Sequence, residues 1–145
     1  MLLACSPKHI KNTTIEDTPE HRNILAVVEM YRSAVEQRDL ISLKQVISDR
    51  YYENASTTEH AQDDYGTDEV LVRIMPMLSE HVDKIFYEIE VTDIIQEEEL
   101  MLVDYSYVLK FRYSDGENIK WGLKRDVNQL ALEQKERGWL IVSGL

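Results

Sequence analysis

The period of the hydrophobic pattern changes once along this chain, near Lys84, and that change limits its fold more than any other feature. Before it, apolar residues return every three or four positions; after it, they alternate. Helices first and strands second predict an α+β fold, with N-terminal helices packed on one face of an antiparallel sheet.

The helical half has clear punctuation. Asp17-Thr18-Pro19-Glu20 supplies an N-cap, a proline at the first helical position and an acid in the first turn. Through EHRNILAVVEMYRSAVEQRD, Ile24, Val27, Val28, Tyr31, Ala34 and Val35 share one side, with Glu29, Arg32 and Glu36 on the other. A shorter helix is expected in LISLKQVISDRYY, a loop in ENASTTEHAQDD, and a third helix in TDEVLVRIMPMLSEHV. Pro76 removes a backbone donor from that third helix and predicts a kink.

In the second half, KIFYEIEVTDII, ELMLVDYSYVLKFRY, NIKWGLKRDVNQLAL and GWLIVSGL read as four strands. The turns QEEE, SDGEN and KERG between them are short and polar, which predicts an antiparallel meander. At 145 residues the chain can close one core, burying roughly 68–70% of its unfolded surface.

The formal charge of -11 sets up a field that repels phosphate backbones and anionic headgroups, so nucleic acid is not an expected partner. No stretch approaches the roughly 20 apolar residues that span a bilayer, so a membrane is reached only through a covalent anchor. Leu2-Leu3-Ala4-Cys5 has the form of the end of a bacterial lipoprotein signal, with Cys5 as the lipidated residue. On this reading residues 1–17 are a signal remnant and polar tether, residues 18–145 are a single domain, and the address is the periplasmic side of a bacterial envelope. If the N-terminus is native as written, the address is cytoplasmic. The single cysteine excludes an internal disulfide and a Cys-rich zinc site. His9, His21, His60 and His81 lack ligand spacing, so neither a metal nor a cofactor is expected.

The segments AVEQRDLISLKQVIS, Asp64-Tyr65-Gly66 and the closing GWLIVSGL resemble those of the nuclear transport factor two-like superfamily, SnoaL-like domains included. The resemblance implies a cone-shaped, cystatin-like roll, in which a curved sheet wraps around helices and leaves a pocket at its open end. It leaves activity open, because the superfamily holds isomerases, dehydratases, hydrolases and binding domains without chemistry.

Strand alternation gives the pocket-facing residues. Ile85, Tyr87, Ile89 and Val91 are expected inward on the first strand, and Met101, Val103, Tyr105, Tyr107, Leu109 and Phe111 on the second. Trp121, Leu123, Arg125 and Val127 are expected inward on the third, and Trp139, Ile141 and Ser143 on the last. Asp93 shares the inward parity at a strand end, and Asp126 is expected outward. The candidate pocket is therefore Tyr31, Tyr87, Tyr105, Tyr107, Trp121 and Arg125, without a mid-strand carboxylate or histidine and so without an assigned catalytic residue. The first reading of these tyrosines is structural, as phenols packed in the core with their hydroxyls on a backbone partner or at the wet rim. As a site, the set suits a small apolar or carboxylate-bearing ligand, Arg125 taking the anion. The expected role is a non-enzymatic small-ligand- or protein-binding domain; the alternative is a SnoaL-like isomerase, dehydratase or hydrolase. Phe86, Ile94, Leu102, Val108, Leu140 and Val142 are expected on the outer sheet face, apolar enough to predict a homodimer there.

Overall fold

The computed structural model describes residues 6–54, 64–66, 82–114 and 116–145. Helices α1 (Pro19–Gln37) and α2 (Leu40–Val46) precede a small ladder of β1 (Tyr52–Asn54) and β2 (Asp64–Gly66). Four long strands follow, β3 (Val82–Glu97), β4 (Leu100–Ser114), β5 (Ile119–Lys135) and β6 (Gly138–Ser143), paired antiparallel in chain order. The two helices lie on this curved sheet, giving the expected α+β architecture. Cys5, the expected third helix and its Pro76 lie outside the described residues.

Helix α1 starts where its cap demands: the Thr18 hydroxyl accepts from the His21 amide at 3.1 Å, Pro19 follows, and Asp17 pairs with Arg22. It ends at Arg38, whose left-handed conformation (φ 54°) turns its amide back onto the carbonyls of Ala34 and Val35. Ile24, Val28, Tyr31 and Ala34 form the buried stripe. They meet Met101, Val103, Leu130, Leu132 and Ile141 of the sheet in one core.

Side chains at the polar side and C-terminal end of α1 also bond part of the free edge of β3. Glu36 Oε2 accepts from the Tyr87 amide at 2.9 Å, and Arg32 donates to the Tyr87 carbonyl at 2.9 Å and to Glu36 at 3.1 Å. Arg38 donates to the carbonyls of Val82 and Asp83. These backbone groups, which an edge strand would leave open for another chain, are satisfied by helix side chains.

Four expectations are corrected. The stretch read as a polar tether is folded from Lys8 to Asp17: His9 bridges Glu16, the Asp17 amide donates to the Lys8 carbonyl at 2.7 Å, and Ile15 is buried. The second helix stops at Val46 rather than running to Tyr52. Ile47 is extended, bridges Ile141 in parallel, and is followed by a Ser48 amide bonded to the Ile141 carbonyl at 2.8 Å, so pairing with β6 overrides local helicity. Both ends of the expected loop are strand, Tyr52 to Asn54 pairing with Gly66 to Asp64.

The fourth correction concerns parity. A bulge between Val91 and Asp93 turns Asp93 outward, opposite Asp104, and brings Ile94 inward, opposite Val103, onto the core. On β5 the whole inward assignment moves by one residue. Tyr105 lies opposite Asn128, Tyr107 opposite Asp126, Leu109 opposite Lys124 and Phe111 opposite Gly122. Directly paired residues point to the same side, so Trp121, Leu123, Arg125 and Val127 face away from the helices. Their exposure agrees: Trp121 is 48% accessible and Val127 75%. The far end of the Phe111 ring occupies the space that a Cβ at Gly122 would need, so glycine there lets the ring lie close to β5.

Candidate functional site

The helix-side face of the sheet gathers tyrosines from three elements. Tyr31 sits on the buried stripe of α1, Tyr87 on β3, and Tyr105 and Tyr107 on β4. The Tyr31 and Tyr87 hydroxyls are 3.2 Å apart, with their rings edge to face at 5.9 Å. Tyr87 meets Tyr107 edge-on at 5.8 Å, and Tyr107 leans on Tyr105 at 6.0 Å. These are the offset and T-shaped geometries that aromatic quadrupoles favour. The sequence-predicted tyrosines are thus brought together as one contiguous cluster.

The chain's last residues close one side of it. The Tyr105 hydroxyl donates to the Gly144 carbonyl at 3.4 Å, the Asn128 amide donates to that same carbonyl at 3.0 Å, and the Leu145 amide donates to the Tyr51 hydroxyl at 3.1 Å. Gly144 can make this approach because it has φ 99° and no Cβ to strike the Gln129 carbonyl.

Burial sets the proton state. Tyr31 is pushed well above the ordinary phenol value near 10, first by desolvation and then by neighbouring Tyr87 and Tyr105. Tyr105 is raised by burial and by Tyr87, and Tyr87 is raised by burial against the opposing help of hydrogen bonds with Tyr31 and Tyr105. All three remain neutral phenols around pH 7, able to donate one hydrogen bond each and unsuited to act as bases.

Toward the open side, the cluster becomes polar. Tyr107 is half-buried, and the Lys124 ammonium lies 6.0 Å from the centre of its ring. Asp126 lies directly opposite Tyr107 on β5, exposed, with its own Oδ1 accepting from the Val127 amide at 2.8 Å. The corrected parity therefore adds Lys124, Asp126 and Asn128 to the helix-side face and removes Trp121 and Arg125, which line a groove of about 490 Å³ on the opposite face. The signal for this was present in the sequence: Leu130 and Leu132 carry the core parity of β5, and counting back from them by twos gives Asn128, Asp126 and Lys124. The large apolar Trp121, Leu123 and Val127 masked it.

Arg125, expected to face inward and take a ligand's anion, is a solvated side chain. Among the described residues no group of three or more His, Cys, Asp or Glu side chains could hold a metal ion, and no helix is long and apolar enough to cross a membrane.

No family model and no curated protein matches the sequence. Solved structures share its fold. A nuclear transport factor 2 (NTF2-like) superfamily protein from Salmonella enterica superposes with a TM-score of 0.67 at 12% identity, covering 85% of this chain and 86% of that one. A ketosteroid isomerase-like protein from Erwinia carotovora gives 0.65 at 14% identity over 88% and 95%. A type 2 hexachlorocyclohexane dehydrochlorinase gives 0.70 at 10% identity over 86% and 81%. At these identities the likeness establishes the NTF2-like fold and nothing of the chemistry.

Proposed function

We propose that this domain binds a small, largely apolar molecule bearing an anionic or hydrogen-bond-accepting group on the helix-side face of the sheet, without transforming it. The observation carrying this reading is the graded polarity of the tyrosine cluster. Tyr31, Tyr87 and Tyr105 form a buried, neutral, hydrogen-bonded set, and Tyr107 with Lys124 and Asn128 continues it to solvent. An apolar ring would rest against Tyr107 at the open end of the cluster, and an anionic tip would meet Lys124, the cation that Arg125 was expected to supply. The Leu2-Leu3-Ala4-Cys5 stretch supports placing such a binding domain on a bacterial envelope as a lipoprotein anchored at Cys5.

Calorimetric titration with 2-naphthoate, which joins a flat apolar body to a carboxylate, tests the reading. Binding is expected in the wild type, weakened about tenfold or more by Lys124→Ala and by Tyr107→Ala, and unchanged by Trp121→Ala. Equal binding by the Lys124 and Tyr107 variants would overturn it.

One observation favours a second reading, an isomerase, dehydratase or hydrolase: Asp126 places a carboxylate opposite Tyr107 on the same face, supplying the base that the sequence reading lacked. It ranks second because Asp126 is exposed and its carboxylate is turned onto its own strand's amide.

A further inference from the structure

The edge of β3 is open over one short run. In an antiparallel strand every second residue turns both its N–H and its C=O to the same side. The Tyr87 amide and carbonyl point away from β4, onto Glu36 and Arg32, so those of Ile89 and Val91, two and four residues on, point the same way. Among the described residues no hydrogen bond meets them. The bulge after Val91 ends the run.

A groove of about 340 Å³ lies along it, with an apolar lining of Ile15 from the N-terminal hairpin, Leu25 and Val28 from α1, and Ile89 and Val91 themselves. The hairpin walls this groove without pairing to β3, because its backbone bonds are its own: the Ile10 amide donates to the Ile15 carbonyl at 2.8 Å and the Thr13 amide to the Ile10 carbonyl at 3.0 Å. Helix α1 does not bond the run either. Glu29, its acid on the rim, is held by Arg32 through bonds of 2.7 and 2.8 Å. Four open backbone groups beside an apolar wall are what a sheet edge offers to an added strand.

We infer that this groove takes a short extended segment of another protein as an added antiparallel strand, with an apolar, a basic and an apolar residue in succession and the basic one opposite Glu90. The register follows from the edge. Residues opposite Ile89 and Val91 exchange both bonds with them, and their side chains point to the helix side, into the groove. The residue between them stands opposite Glu90 in a non-hydrogen-bonded position, where facing side chains come closest. Glu90 is exposed and holds no ion pair among the described residues. The rim carries two acids, Glu29 and Glu90, against Lys11, and the net charge of -11 draws a basic segment in while opposing an acidic one. It also opposes β3 of a second copy, which would bring Glu88 and Glu90 against their own kind.

Titration of the intact ¹⁵N-labelled chain with the capped peptide acetyl-Thr-Val-Arg-Val-Thr-amide tests this. Saturable amide shifts are expected at Leu25, Val28, Ile89, Glu90 and Val91, with hydrogen exchange at Ile89 and Val91 slower than in the free chain. Methylating both valine nitrogens of the peptide removes its donors to the edge and should abolish binding. Methylating the arginine nitrogen, which faces away, should leave affinity within about twofold. Glu90→Arg should weaken the peptide by about threefold or more and strengthen, by a similar factor, one carrying Glu in place of its Arg. Absence of saturable shifts at about 5 mM peptide would overturn the inference, as would equal binding of the valine-methylated peptide or a Glu90→Arg chain indifferent to both peptides. Ile89 and Val91 amides already protected in the free chain would also overturn it, and protection growing with protein concentration would give the edge to a second copy instead.

Discussion

Removing the Tyr31 hydroxyl isolates the interaction that organises the helix-side face. Tyr31→Phe keeps the ring, its edge-to-face contact with Tyr87 and nearly all of its buried area; only the 3.2 Å hydroxyl contact is lost. A neutral hydrogen bond between buried groups contributes about 1 kcal/mol net, and leaving a partner short of one costs about 1–3 kcal/mol. The Tyr87 hydroxyl retains its interaction with Tyr105, so the lower end of that range, about 1 kcal/mol, applies. For a domain of this length that is a fall in Tm of about 4 °C. Tyr87→Phe should cost a similar amount. The double variant should cost less than the sum by about 0.5–1 kcal/mol, because the second change removes a hydroxyl already deprived of its partner. Urea unfolding of the four proteins, with m values compared to confirm a common denatured state, measures the cycle. Additive losses, or a Tyr31→Phe variant as stable as the wild type, would refute the hydroxyl pairing from which the polarity of the site is argued.

Other consequences follow from single contacts. Gly122→Ala should destabilise the sheet by about 1–3 kcal/mol through its collision with the Phe111 ring, and Phe111→Leu in the same background should recover part of the loss in thermal unfolding. Glu36→Ala leaves the Tyr87 amide unpaired on the edge of β3, so hydrogen exchange at Tyr87 should accelerate and stability fall by about 1–2 kcal/mol; Glu36→Gln, which keeps an acceptor, should lose less. The phenols of Tyr31, Tyr87 and Tyr105 hold their protons more tightly folded than unfolded, so their contribution is complete below the unfolded value of about 10 and is lost as pH rises through the raised folded values. Absorbance at 295 nm should show these three ionising together with unfolding. On the proposed envelope address, mass spectrometry of the mature protein from its native host should find diacylglycerol on Cys5; a free Cys5 thiol there would remove that address.

The physical origin of what was legible in the sequence differs from element to element. Helix α1 was readable to the residue at its start because Thr18 and Pro19 act locally, through one hydroxyl and one fixed dihedral. The meander was readable because each turn is short and bounded by alternating residues. Tyr31, Tyr87, Tyr105 and Tyr107 were assigned to one face correctly because α1, the first part of β3 and all of β4 keep strict period. Beyond that, sequence reasoning failed where long-range pairing decides. Thr92 bulges only because β3 must stay in register with β4, and that extra residue reverses Asp93 and Ile94. On β5 the stripe Trp121, Leu123 and Val127 is as apolar as a core stripe, and only registration against Tyr105, Tyr107 and Phe111 reveals that it faces outward. The error placed Arg125 rather than Lys124 on the helix-side face and concealed Asp126 and Asn128 there. Ser48 bonding to Glu133, 85 positions away, likewise had no local signal.

The central claim is that the helix-side face, with its tyrosine cluster and Lys124, takes an apolar anion while the outer face does not. Amide chemical-shift mapping of the ¹⁵N-labelled protein during titration with 2-naphthoate tests it most directly. Saturable shifts concentrated at Tyr87, Tyr107, Lys124 and Asn128, with Phe86, Trp121 and Arg125 unmoved, are the result predicted. Shifts centred on Phe86, Trp121 and Arg125, with the tyrosine cluster silent, would contradict it.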